Sequence, residues 1–113
     1  MTDLLWGEID AELGGVVRRL RFGIGDIERL EDRLELGLLD IVRSLAQGRY
    51  RLRYVREILT LGLEAAGWRG TEDAVRLMIR QTSPGECQSI CLRLLSVALG
   101  GEATVVPGEC DEG

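Results

Sequence analysis

Lysine, histidine and asparagine are absent from this chain, and aromatic residues make up only 4% of it. Without histidine it has neither the usual general base for chemistry near neutral pH nor an imidazole to ligate a metal. All fourteen basic residues are arginine, a bias we read as the mark of a GC-rich genome and not of function. With so few aromatics the core must be built from Leu, Ile, Val and Ala, a composition that suits packed helices. No window approaches the roughly 20 apolar residues that span a bilayer. The opening residues MTDLLWGEID also lack the basic-then-apolar order of a signal peptide, so a cytoplasmic protein without a membrane partner is expected. Gly23-Ile24-Gly25 lacks the third glycine and following lysine of a phosphate-cradling loop and reads as a strand-to-helix turn. No nucleophile has a recognisable partner, so neither an enzyme nor a cofactor is expected.

What is present is ordinary for a globular domain. The 113 residues are 45% apolar and 29% charged, enough for one domain with a modest core. A net charge of −5 argues against a nucleic-acid partner, whose phosphates need a concentrated basic face. Cys87, Cys91 and Cys110 are odd in number, which fits a reducing compartment better than a disulfide framework. Cys87 and Cys91 lie one helical turn apart. A structural zinc wants four ligands, however, so the pair is expected to be buried thiols with no metal.

Residues 6–22 centre on Gly14-Gly15, a dipeptide suited to a two-residue hairpin turn. Folding there pairs Leu13 with Val16, Ile9 with Leu20 and Gly7 with Phe22 on one face, with Ala11 opposite Arg18. The other face sets Asp10 against Arg19 and Glu8 against Arg21. Asp26 is the expected N-cap of a helix bearing Ile27, Leu30 and Leu34. Its carboxylates Glu28, Glu31, Asp32 and Glu35 read as a solvated face laced with arginines, not as a metal site. Leu38, Leu39, Ile41, Val42, Leu45 and Ala46 form a second short helix ending at Gly48. Thr71 caps a helix whose buried stripe includes Val75, Met78 and Ile79. Ser83, Pro84 and Glu86 then open a last helix running to about Leu99, with Cys87, Ile90, Cys91, Leu94, Leu95 and Ala98 on its buried side. The fold class expected is mainly α with a small β part: one compact domain over residues 1–99, a hairpin at 6–22 and four to five short helices over 26–99. Residues 100–113 are acidic and aperiodic, and a mobile tail is expected there.

The sequence is organised around GRYRLRYVREILTLGLEAAGWRG, residues 48–70, which holds both tyrosines and the densest positive charge. It reads as one helix, apolar around more than half its circumference and therefore central, with an aromatic-basic entry and a glycine-tryptophan exit. Tyr50, Tyr54 and Trp68 with Arg49 and Arg53 are the residue types of binding hot spots, which makes them the candidate partner surface. The plain alternative is that the tyrosines pack in the core with arginines solvated over them, and that Trp68 plugs a turn between helices.

These pieces in order resemble a known family. A hairpin ending in Leu20-Arg21-Phe22 is followed by a Gly23 to Leu34 helix. Then come Gly48-Arg49-Tyr50, Val55-Arg56-Glu57-Ile58-Leu59 and Gly62 with Gly67-Trp68-Arg69-Gly70. The combination is similar to the tail assembly chaperone family of gene transfer agents and related tailed phages, over about residues 6–99. The resemblance implies a small, non-enzymatic, cytoplasmic protein of the bacterial host that binds the tape measure protein, and possibly the tail tube protein, during assembly and is absent from the mature particle. It carries no residue-level binding site and leaves a homo-oligomer open. The competing reading from the residues is a small helical DNA-binding regulator using Arg49 to Arg56 or the turn between Gly67 and Thr71.

Overall fold

A computed structural model of the protein describes residues 6–99. Two strands, β1 (Trp6–Leu13) and β2 (Val16–Gly23), precede five helices: α1 (Ile24–Leu34), α2 (Leu38–Ala46), α3 (Leu52–Ala65), α4 (Glu72–Thr82) and α5 (Pro84–Ala98). The expected acidic tail over 100–113, Cys110 and residues 1–5 lie outside the described residues.

The hairpin forms in the expected register, with Leu13 opposite Val16, Ile9 opposite Leu20 and Gly7 opposite Phe22. Gly14 and Gly15 take φ of 65° and 84°, the two positive values that a type I′ turn demands and that glycine adopts without strain. The turn is pinned to the helices, because the Gly14 N–H donates to Thr82 Oγ1 at 2.7 Å. One face of the ribbon carries Ile9, Ala11, Leu13, Leu20 and Phe22, all buried. On the other face Arg19 meets Asp10 at 3.2 Å and Arg21 meets Glu8 at 3.3 Å. A two-stranded ribbon is marginal alone. Here β1 lies against α4 and α5, and β2 against α1, α3 and α5.

Helix α3 is the centre of the domain, touching β2, α1, α4 and α5. Every residue from Glu57 to Leu63 is buried, so no face of those two turns reaches solvent. Burial of each of its large aliphatics contributes on the order of 2 kcal/mol. Gly62 permits the close crossing: a Cβ there would lie 2.8 Å from Leu94 Cδ2 and 3.3 Å from Leu20 Cβ. Helix α5 completes the core with the six residues named from its sequence, Cys87, Ile90, Cys91, Leu94, Leu95 and Ala98.

Two boundaries differ from expectation. Helix α1 begins at Ile24, so Asp26 is the third helical residue and not the N-cap; its Oδ2 accepts from the Gly23 N–H at 2.9 Å. The carboxylate does the satisfying job of a cap from inside the helix, the reciprocal half of a capping box. Residues 48–70 are not helical throughout, because α3 spans Leu52–Ala65 and the ends form two turns. At the first, the Arg49 N–H donates to the Ser44 carbonyl at 2.8 Å and the Gly48 N–H to Leu45 at 3.2 Å, the paired bonds of a Schellman motif closing α2. At Thr71 and Ser83 the expected caps are formed: Thr71 Oγ1 accepts from Ala74 and Ser83 Oγ from Glu86. Ser83 serves α4 and α5 together, and it does so at φ 113°.

Candidate functional site

The residues singled out from the sequence fall at the two ends of α3. Tyr50, Tyr54, Arg49 and Arg53 surround its N-terminus, and Trp68 follows its C-terminus. A helix rises about 1.5 Å per residue, so its 14 residues separate the two groups by roughly 20 Å.

At the N-terminal end both tyrosines are half-buried and rest on the core. The Tyr50 hydroxyl lies 3.5 Å from Gln88 Oε1 on α5, and Gln88 Nε2 donates to the Leu45 carbonyl at the end of α2. Tyr50 thus closes over a polar clasp between α2 and α5. Arg49 and Arg53 are exposed. Arg53 Nη2 donates to the Arg33 carbonyl at 2.6 Å, satisfying one of the terminal carbonyls of α1 that have no partner within the helix. The tyrosines therefore pack, as the plain reading has it, and still show an edge to solvent.

Beneath this end lies a group that the sequence pattern did not reveal. Glu57 is 6% exposed and accepts from Arg33 Nη1 at 2.9 Å and from Arg56 Nη2 at 3.0 Å. Burial pushes its pKa up, but the hydrogen bonds and charges of Arg33 and Arg56 outweigh that and hold it below the usual carboxylate range. A carboxylate locked between two guanidiniums is a structural anion, not a proton acceptor for chemistry. Arg56 Nε is buried without a hydrogen-bond partner.

At the C-terminal end the chain leaves α3 through a second Schellman motif. The Trp68 N–H donates to the Leu63 carbonyl at 2.9 Å and the Gly67 N–H to Glu64 at 3.0 Å, with Gly67 at φ 102°. The residue after the glycine in this motif packs back on the last helical turn, and Trp68 is half-buried against the core. Its ring also lies over Gly70, leaving no space there for a Cβ. Trp68, Arg69, Gly70, Thr71 and Glu64 line an open depression of about 580 Å³. Trp68 plugs the α3–α4 turn with one face and borders this depression with the rest.

Cys87 and Cys91 are core residues. Both are buried; burial, then the neighbouring Glu86 charge, pushes the Cys87 thiol up to about 11, and burial pushes Cys91 well above its usual range. Cys91 Sγ lies 3.9 Å from the Val55 carbonyl, as a weak donor. Among the described residues no group of three or more His, Cys, Asp or Glu side chains could hold a metal ion. The carboxylates of α1 are likewise structural where they are engaged: Glu31 Oε2 accepts from the Leu38 N–H at 2.8 Å, tying α1 to the start of α2. No described helix is long and apolar enough to cross a membrane.

Comparison with known proteins gives one result. A family model described as "Phage tail tube protein, GTA-gp10" matches residues 6–101. No curated protein and no solved structure matches. The matched span takes in the hairpin, all five helices and both ends of α3. The chain therefore belongs to the phage tail tube protein, GTA-gp10 family, and is a tail-related protein of the phage and gene transfer agent kind.

Proposed function

We propose that the protein is a non-enzymatic tail assembly chaperone that binds the tape measure protein and keeps it soluble before the tail tube forms around it. The observation that carries this reading is the family match over residues 6–101 together with the character of the surface. A single small domain exposes Leu52, Leu77, Leu39 and Ile24 by half or more of their area. Tyr50, Tyr54 and Trp68 are half-buried, with the exposed Arg49, Arg53 and Arg69 beside them in the chain. Long helical proteins with apolar stripes aggregate when those stripes are uncovered, and a helix-in-groove contact covers them at modest cost. Tyr50, Tyr54, Trp68, Arg49 and Arg53 are the proposed partner residues. Because they stand at two ends of α3, they fit an extended helix lying along the domain better than a point contact. The chaperone acts in the bacterial cytoplasm and leaves before the particle is complete.

A second reading, a subunit of the tail tube itself, is favoured by the description of the matching family. A tube subunit must repeat one heterologous interface around a closed ring, and it stays in the particle. The DNA-binding alternative finds no support. The arginines of α3 are partly consumed by Glu57 and by the Arg33 carbonyl, and the family is a tail family.

The test is co-expression with the tape measure protein of the same element. The chaperone reading expects that protein in the soluble fraction, bound to this chain, and insoluble without it. A tape measure protein equally soluble in both cases contradicts the reading.

A further inference from the structure

Between the start of α3 and the middle of α4 lies a small pocket of about 190 Å³, lined by Leu52, Arg53, Arg56, Arg76 and Ile79. Ile79 is 4% exposed and forms the floor, while Leu52 is 54% exposed at the rim. The aliphatic stems of three arginines supply most of the remaining wall, since such stems lie along apolar surface while their heads stay wet. For scale, an apolar cavity of about 150 Å³ takes up benzene, so this pocket has room for one branched aliphatic or aromatic side chain.

The charge at its rim is unbalanced. No carboxylate lines the pocket. Among the described residues Arg53 meets no carboxylate; its partner is the neutral Arg33 carbonyl. Arg56 shares the single Glu57 with Arg33 and keeps a buried Nε without a partner. Arg76 alone is matched, by Glu72 and Asp73 on its own helix. Residues 49–57 hold four arginines against one glutamate in a chain whose net charge is −5. An exposed leucine beside an apolar floor, with Arg53 meeting no carboxylate and Arg56 sharing its single one with Arg33, is complementary to an apolar side chain flanked by carboxylates. A duplex would offer phosphates to the ring and nothing to the floor.

We infer that this pocket is an anchor site for an amphipathic helix of the partner, taking one leucine-sized side chain in the Leu52–Ile79 pocket with acidic residues one turn to either side against Arg53 and Arg56. The inference rests on the chaperone reading and deepens it by naming the partner's chemistry. It also adds Leu52, Arg56 and Ile79 to the surface.

The test uses the full chain and a synthetic amphipathic helix of about 18 residues, five turns, with a central leucine and glutamates three and four positions to each side. Methyl resonances of Leu52 and Ile79 are expected to shift on titration. L52E is expected to weaken binding about tenfold or more, about 1.4 kcal/mol or more, whereas V17E, at a hairpin position 69% exposed, leaves it unchanged. Replacing the peptide's glutamates by glutamine, or its leucine by serine, is expected to weaken binding as well. The inference is overturned if L52E binds as the parent does, if the methyl shifts come with protein concentration alone and so report a second copy, if residues 100–113 compete for the pocket so that only their removal allows binding, or if duplex DNA moves the same methyls and the peptide does not. Peptide binding at Leu52 with no effect on tape measure solubility removes the chaperone reading and leaves the pocket. Solubilisation that L52E does not impair removes the pocket and leaves the chaperone.

Discussion

Replacing Glu57 by glutamine tests the electrostatic centre of the domain. The substitution keeps the shape of the side chain and removes a charge that two guanidiniums share at 2.9 and 3.0 Å. The two partners differ. The Arg33 side chain is 43% exposed, so it can turn to water, and its share is that of a surface pair, about 1 kcal/mol or less. The Arg56 side chain is 19% exposed and already has an unpartnered Nε, so losing its acceptor costs about 1–3 kcal/mol. Together E57Q should destabilise by about 1–4 kcal/mol. For a domain of this size that lowers Tm by roughly 4–30 °C. The pH dependence has a definite sign. The folded pKa of Glu57 lies below its unfolded value of about 4.3, so its contribution is present in full above that value and is lost as pH falls through the folded pKa. Thermal unfolding followed by circular dichroism at pH 7 and again in acid should therefore show a large gap between parent and variant that closes in acid. A gap under about 0.5 kcal/mol at pH 7, the scale of an ordinary surface substitution, or one that persists unchanged in acid, would refute the assignment.

Three further outcomes follow from the geometry. Ser83 sits at φ 113°, where a side chain costs about 1–3 kcal/mol, while exchanging a serine cap for glycine loses only a few tenths of a kcal/mol. S83G should accordingly raise stability by about 1 kcal/mol, and S83A, which keeps the strain and loses the bond to the Glu86 N–H, should lower it by about as much; denaturant midpoints decide. The raised pKa values of Cys87 and Cys91 and their burial keep both as thiols, so a disulfide-exchange reagent at pH 8 should modify them only as fast as the protein unfolds, and elemental analysis should find no zinc. With Cys110 replaced by serine, rapid modification of the native protein, or about one zinc per chain, contradicts the core role. G62A gains about 1 kcal/mol of helix propensity but sets a Cβ against Leu94 and the backbone-fixed Leu20 Cβ, an overpacking cost of about 1–3 kcal/mol. Urea titration should show net destabilisation; a more stable variant would mean that the α3–α5 crossing is looser than described.

The parts of the fold governed by short-range rules were legible in the sequence. The hairpin register follows from alternation and from the Asp10–Arg19 and Glu8–Arg21 pairs, which a one-residue slip would destroy together. The buried stripe of α5 follows from helical period, and the Thr71 and Ser83 caps from residue type. Long-range pairings were not legible. Glu57 stands between an arginine and an isoleucine in a mixed stretch, and nothing local says that Arg33, 24 residues earlier, arrives to make its burial tolerable. Nor does the sequence show that Arg53 satisfies the end of α1, or that Leu52 and Ile79 border one pocket from different helices. The N-cap of α1 is Gly23, three positions before the expected Asp26, because Gly23-Ile24-Gly25 suggests a break, whereas an exposed helical glycine costs only about 1 kcal/mol and the helix runs through Gly25. The separation of Trp68 from the tyrosines follows from the Schellman turn at Gly67, which ends α3 before the tryptophan and gives it a packing role alongside any contact with a partner.

The central claim is that the chain serves tail assembly without remaining in the tail. Quantitative mass spectrometry of this chain, in tape-measure complexes from assembling lysate and in purified particles, tests it most directly. The account predicts the chain at several copies per tape measure protein in the lysate complex and none in the finished particle. The chain in particles at the copy number of the major tube subunit would contradict the account and make it a component of the tube.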